Sequence, residues 1–475
     1  MALPHNFWRR HPALPVLLAA LFLLSQLLAP AAHAQSILRD AETEALLRDI
    51  ADPLARAGGL DPKSLQIYLV GDSSINAFVT GGQNVFFHTG LLVAAKDVNQ
   101  VQGVMAHELG HITGGHNIRW SEGVGPATTI SILGLLLGAA AMALGAGEAG
   151  MAAMALGQQM GQSKFLAFNR EQESRADQAG AAFLNEAGVT GRGMISFFEH
   201  LLGEEYRLAI PQTNSYNRTH PLSGERIRAL DQVLRESPYW QRPVDAELQA
   251  RYDRVRGKLI GYIFPLDTVK RTYPATDLSD AAHLARAYAY HRAAFQKEAL
   301  NEVETIIDRH PDDPYALELK GQILLESGEV AAALPPLREA VRLSGNEPLI
   351  AGMLGQALLL SSNDGADTEK LAEAEKLLRS VVQRDGRNPH AWTQLGNIWE
   401  LKGDQPRAAL ATAERISLTG GDPRLARRAA QTAVAGLSPG TSDYLRAEDI
   451  MLASQGEIER LRLKEKDQPR ERPRT

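Results

Sequence analysis

The sequence predicts a mainly helical α+β protein in two parts: an N-terminal domain whose helices pack on a small β-sheet, and a C-terminal α-solenoid. Three observations lead there. Residues 65–88 hold short β-rich runs with a Gly-Gly turn, residues 101–112 and 165–184 carry apolar side chains at helical spacing, and the C-terminal half repeats small residues and prolines about every 34 positions. The 475 residues, 44% hydrophobic and 22% charged, suffice for two or more domains with cores of their own. The formal charge of −6 provides no basic footprint for nucleic acid, which sets that class of partner aside.

Arg9, Arg10 and His11 precede an apolar run from Pro15 to Leu28, and Ala32-His33-Ala34 puts small residues at the two positions a signal peptidase reads. The run is shorter than the roughly 18 residues of a spanning helix, so residues 1–34 read as an export leader cleaved after Ala34. The chain has no cysteine. An exported protein without disulfides depends on its core, and any zinc site must be built from His, Asp and Glu.

Asp40 to Ala57 reads as an amphipathic helix, either continuous or interrupted at Pro53. Leu65 to Val70 is rich in β-formers, and Ile75 to Val79, Gly81-Gly82 and Asn84 to His88 read as a strand pair. A strand edge beside a catalytic centre can hold an extended peptide by backbone hydrogen bonds, but a purely structural hairpin has the same sequence signature.

The pair leads into His107-Glu108-Leu109-Gly110-His111, an H-E-x-x-H motif. At about 100° per residue, positions four apart share a helix face one turn apart, so two imidazoles can grip one ion. Glu108, beside the first of them, is placed to take a proton from a water at the metal. A chance H-E-x-x-H is expected in roughly a few per cent of chains of this kind, so the motif needs a third ligand. A metzincin arrangement fails by count, because Asn117 stands where its last histidine belongs and His116 is one residue out of register. That places His116 on a neighbouring face of the helix or just past its end.

Glu173 is the best third ligand. It lies in an apolar helical stripe with Ala176, Gly180, Phe183 and Leu184, where an unpaired carboxylate would be costly. A metal ion would explain it, and so would a buried ion pair with Arg170 or Arg175. Asp177, one turn on, is suited to hold the distal N–H of a ligating histidine.

His107 to His111, followed by Asn169-Arg170-Glu171-Gln172-Glu173-Ser174-Arg175-Ala176-Asp177, resembles the paired signature of the HtpX and CaaX-prenyl-protease type of zinc metallopeptidase. The Glu of that family's E-x-x-A-D motif is the third zinc ligand and falls here on Glu173. Asn76-Ala77-Phe78 and Gly90-Leu91-Leu92 match the same family. So do Thr219-His220-Pro221 and the downstream Arg226, from which the resemblance implies that His220 faces the zinc. There it would stabilise the oxyanion of the tetrahedral intermediate, or occupy the fourth metal position and hold the enzyme off. On spacing alone it reads as a turn histidine ahead of a helix starting near Ser223.

From Val124 to Leu156 the only charged residue is Glu148, and the apolar core from Ile130 to Leu144 is too short to span a bilayer comfortably. A helical hairpin fits, whether it contacts a membrane surface, covers the cleft or packs in the core. Further on, Pro314, Pro348, Pro389 and Pro423 recur at intervals of 34, 41 and 34 residues, and Ala299, Ala333, Ala374 and Ala408 keep the same intervals. This is the tetratricopeptide period, with an insertion around Asn363 to Thr368. Stacked helical hairpins of this kind present a concave surface that usually captures peptides or proteins, the alternative being that they only stabilise the catalytic domain.

The expected organisation is a leader (1–34), a zincin-type metallopeptidase domain with a small β-sheet (35–265), a tetratricopeptide α-solenoid (266–460) and a disordered charged tail (461–475). An exported zincin joined to such repeats resembles the BepA-like periplasmic proteases. The resemblance implies a periplasmic endopeptidase and assembly factor whose clients are misfolded or assembling outer-membrane proteins, with the repeats reaching the outer-membrane insertion machinery. The mechanism expected is one Zn2+ per chain on His107, His111 and Glu173, with Glu108 as general base, His220 as oxyanion partner or fourth ligand, and Asp177 orienting a ligand. The alternative is an assembly scaffold or chaperone with a mainly structural zinc, against which Glu108 argues.

Overall fold

A computed structural model describes residues 36–116, 120–143, 147–208, 216, 219–362 and 365–467. The expected leader, Asn117 and residues 468–475 lie outside them.

Four strands form one sheet in the order β1-β2-β4-β3, with β1 Ser36–Leu38, β2 Gln66–Gly71, β3 Ala77–Thr80 and β4 Asn84–His88. β1 runs antiparallel to β2, β2 parallel to β4, and β3 returns antiparallel on β4 through Gly81 and Gly82, both at positive φ. A turn with two successive positive φ angles favours glycine, so the Gly-Gly pair sets the hairpin. β3 is an edge strand.

Helix α1, Ala41–Ala57, starts at Asp40, which caps the Thr43 N–H, and continues through Pro53 without interruption. Buried Leu46, Leu47, Ile50 and Leu54 pin both halves to the core, which offsets the hydrogen bond that proline removes. After the short α2, Thr89–Ala94, comes α3, Val98–Thr113, which carries the H-E-x-x-H motif and is buried along most of its length.

α4, Trp120–Ala143, and α5, Gly147–Glu186, form a long hairpin, so the helix of Glu173 extends well beyond the expected residues 165–184. The two helices approach at glycines: a Cβ on Gly134 would sit 2.5 Å from Gly157 Cα, and one on Gly138 would sit 2.5 Å from Gly150 O. Leu133, Leu135, Leu136, Leu137 and Met151 are exposed, which corrects the core-hairpin alternative. No helix among the described residues is long and apolar enough to cross a membrane. The base of α5 crosses α3 and is followed by α6, Arg192–Leu208, α7, Gly224–Arg235, and α8, Ala246–Ile263.

Beyond the short α9, Leu266–Thr272, helical hairpins stack in sequence from α10, Asp280–Arg292, and α11, Gln296–Arg309. They continue as α12, Pro314–Glu326, α13, Val330–Leu343, α14, Pro348–Leu360, α15, Thr368–Arg384, α16, Pro389–Leu401, α17, Gln405–Leu418, α18, Pro423–Gly436, and α19, Ser442–Asp467. The repeating prolines are N1 residues behind Asp313, Glu347, Asn388 and Asp422, each of which caps its helix. The repeating Ala299, Ala333, Ala374 and Ala408 are buried where helices meet. α19 runs to Asp467, so residues 461–467 are helical and not part of a disordered tail.

The two parts are joined through the start of the described chain. Ala41 lies in the solenoid's core, Arg39 reaches Asp385 at 3.1 Å, and Lys258 on α8 holds Asp40 and Glu42, each at 2.9 Å. Arg254 bridges Glu42 at 2.8 Å to Asp313 at 2.6 Å.

Candidate metal centre

α3 and α5 cross in backbone contact. A Cβ on Gly110 would lie 2.5 Å from Ala176 O, so that position admits only glycine without separating the helices, and one on Gly180 would lie 3.1 Å from the Ala106 carbonyl, a tight contact. This contact brings His107 and His111 up to Glu173.

His107 Nε2 lies 3.1 Å from His111 Nε2 and 3.4 Å from Glu173 Oε2, and His111 Nε2 lies 3.4 Å from Glu173 Oε1. His220, just before α7, adds Nδ1 at 3.3 Å from His107 Nε2 and 3.2 Å from Glu173 Oε1. All four residues are buried, and their donor atoms fall within 4.8 Å of one another. A tetrahedral ion bound at about 2.0–2.1 Å places its donors about 3.3–3.4 Å apart, close to these separations. Two imidazole nitrogens facing each other at 3.1 Å share a proton in the metal-free protein and can both turn lone pairs to a cation placed between them. The donor set therefore fits a metal ion.

Partners on the far side orient these groups. Asp177 Oδ1 is 3.0 Å from His107 Nδ1, as its position one turn beyond Glu173 implies. Arg226 donates to Asp177 through Nε at 2.7 Å and Nη2 at 2.9 Å, to Pro221 O at 2.7 Å, and lies 3.1 Å from Glu173 Oε2. Arg175 turns outward to Glu171 at 2.5 Å, so it is not the counter-ion of Glu173. His116 lies past the end of α3, with its Nδ1 2.8 Å from His111 Nδ1. The Tyr216 ring packs on His220 with centroids 4.7 Å apart.

Glu108 is fully buried, and neither of its carboxylate oxygens has a hydrogen-bond partner among the described residues. His220 Nε2 lies 3.5 Å from its Oε1. Burial raises the Glu108 pKa against the pull of His220 and His107. Burial opposes the charged form of His107, but Asp177 and Glu173 outweigh it and carry the pKa up to about 9. Glu173 is held well below the usual carboxylate range despite burial, chiefly by His220 and His107. Burial and the charge of His107 push His111 well down.

The structure thus gathers His107, Glu108, His111, Glu173, Asp177 and His220 around one point. Two neighbours carry a weaker signal in the sequence. His116 is out of register for a metzincin, although Gly114-Gly115 ahead of it marks a helix end at which the chain turns back. Arg226 has only a resemblance behind it, although two carboxylates four residues apart on one buried face call for a cation.

A buried His/Glu donor cluster with an unpartnered glutamate beside it, on crossed helices next to a sheet edge, defines a metallopeptidase. Residues 41–234 match the model of peptidase family M48, and residues 284–348 and 363–423 match a tetratricopeptide repeat model. The chain carries a peptidase family M48 domain followed by tetratricopeptide repeats. It is similar to the beta-barrel assembly-enhancing protease of Yersinia pestis, 26% identical over 363 residues that make up 74% of this chain and 71% of the relative. The protein of the same name from Escherichia coli K12 is 24% identical over 367 residues, 74% of this chain and 71% of that one. A putative beta-barrel assembly-enhancing protease of Vibrio cholerae is 32% identical over 206 residues, 42% of this chain and 40% of the relative.

Proposed function

We propose that this chain is a periplasmic zinc-dependent endopeptidase, exported by its leader, that acts on proteins in outer-membrane assembly and also assists that assembly. The observation that carries the enzymatic reading is the buried, unpartnered Glu108 carboxylate next to four converging donor atoms. A buried acid without hydrogen bonds costs stability, and a purely structural metal site has no use for it.

In this reading His107, His111 and Glu173 hold one zinc ion, whose chemistry when bound is to polarise the scissile carbonyl and acidify a nearby water. Glu108 takes the proton of the attacking water and passes it to the leaving amine. Asp177, fixed by Arg226, keeps the proton of His107 on Nδ1 and so directs the Nε2 lone pair inward. His220 would serve either as a fourth donor that closes the site or as an oxyanion partner. β3 is the edge strand beside the centre, and an edge of this kind can hold an extended substrate by backbone hydrogen bonds.

The relatives' printed name and the repeats support assembling or stalled outer-membrane proteins as clients, with the solenoid spanning residues 266–460 docking them or the insertion machinery. The exposed leucines of the α4–α5 hairpin support peripheral contact with a lipid surface. Flotation with phospholipid vesicles should be lost in Leu136→Ser/Leu137→Ser; unchanged flotation would remove that contact. One observation favours a scaffold with a structural zinc instead: four protein donors make a closed site. Glu108→Gln separates the two. It should retain zinc and clients while cleavage falls by about 10²–10⁴-fold, and persistent cleavage rejects the mechanism. Full function in assembly by that variant supports the scaffold.

A further inference from the structure

We propose that His116 is a positioning residue whose imidazole accepts a hydrogen bond from His111 Nδ1 and thereby sets the tautomer and ring angle of that metal-binding histidine. The inference rests on the assignment of His111 to the metal and adds a residue on its far side.

The local sequence builds this contact. α3 ends at Thr113, Gly114 caps it at φ −71° and ψ −10°, and Gly115 turns the chain back at φ +61°. The His116 N–H then donates to His111 O at 3.1 Å, which returns the side chain to the helix it has just left. The two rings stand 4.8 Å apart at 83°, with Nδ1 facing Nδ1 at 2.8 Å, and His116 is 6% exposed. The ring lies so tightly over the helix end that a Cβ on Gly114 would meet His116 Nε2 at 2.3 Å.

The chemistry assigns the protons. A nitrogen directed at a cation presents its lone pair, so with His111 Nε2 in the donor cluster the proton sits on Nδ1. It donates to the His116 Nδ1 lone pair, and the proton of His116 is then on Nε2. The two ligand histidines are thus supported differently: His107 by the Asp177 carboxylate at 3.0 Å, and His111 by the His116 imidazole at 2.8 Å. Such partners hold a ligand's orientation, and their loss weakens metal binding by about 10–100-fold.

Three variants of the full chain test this, with zinc dissociation constants read by chelator competition and apoprotein melting as the fold control. His116→Phe keeps a buried ring without an acceptor and should weaken zinc by about 10–100-fold. His116→Asn supplies an acceptor oxygen and should recover most of that loss. Gly114→Ala has an allowed backbone angle and leaves His116 chemically intact, but its methyl displaces the ring, so it should weaken zinc as His116→Phe does. Wild-type affinity in His116→Phe or Gly114→Ala overturns the inference, as does equal weakening by Phe and Asn, which would make the role one of packing. Should His116→Phe not fold, the Gly114→Ala measurement decides. A wild-type protein that binds no zinc would fail the preceding assignment instead.

Discussion

At the residue scale the site is governed by which atoms are denied water. His107 is completely buried between Asp177 and Glu173, and in the metal-free protein these carboxylates carry its pKa up to about 9. A metal ion must displace that proton, so apparent zinc affinity should climb with pH and level off above about 9. Titrations by competitive chelator across that range check it, and a flat profile rejects it. The stability of the apoprotein runs the other way. A raised histidine pKa contributes stability that is complete below about 6.5 and is lost as pH rises through about 9. His107, Glu108 and His111 were legible in the sequence because their chemistry needs only a four-residue spacing on one helix. Arg226 and His116 were less so, because each acts through a neighbour placed by the fold: Arg226 across 49 residues to Asp177, and His116 through a reversal of the chain after Gly115.

At the element scale, the close crossing of α3 and α5 turns two motifs into one centre. Gly110→Ala would push a methyl against Ala176 O, so it should cost about 1–3 kcal/mol of stability and weaken zinc, because separating the helices moves both histidines from Glu173. Thermal melting and chelator competition measure the two effects, and unchanged values for both would reject the role of this crossing. Periodicity indicated the helices and strands but not all of their limits. Pro53 does not end α1, because Leu46, Leu47, Ile50 and Leu54 bury the helix on both sides of it. α5 continues upstream of residue 165 because its partner in the hairpin is α4, a contact that the apolar stripe of the lower half does not report. The charge of residues 461–467 looked like a tail, yet those residues extend α19.

At the scale of the whole molecule, peptidase and solenoid meet around a buried set of charges. Lys258 lies between Asp40 and Glu42, with Tyr288 and Tyr315 on either side and Glu318 close by. Burial, against the attraction of Lys258, raises the Glu318 pKa to about 8. Relative to 4.5 in the free chain, the protonated carboxyl stabilises the fold below that value, and the contribution is lost as pH rises through about 8. Glu318→Gln should therefore melt close to wild type near pH 5 and increasingly above it towards pH 8. A pH-independent difference in melting temperature would exclude Glu318 as the titrating group. If this contact sets how the repeats face the cleft, the same variant should also shift cleavage of a full-length protein substrate more than cleavage of a short peptide.

The sequence by itself determined the class of chemistry, the zinc-type donors on His107 and His111, the candidacy of Glu173 and the tetratricopeptide period, because each depends on residue type and local spacing. Only the tertiary structure decided that Glu173 faces the histidines and not Arg175, that His220 joins their cluster of donor atoms, that Arg226 meets Asp177 and His116 meets His111, and that the hairpin's leucines face outward. Those outcomes depend on how closely two helices cross and on which buried charges find each other, and both are set by contacts between residues far apart in the chain.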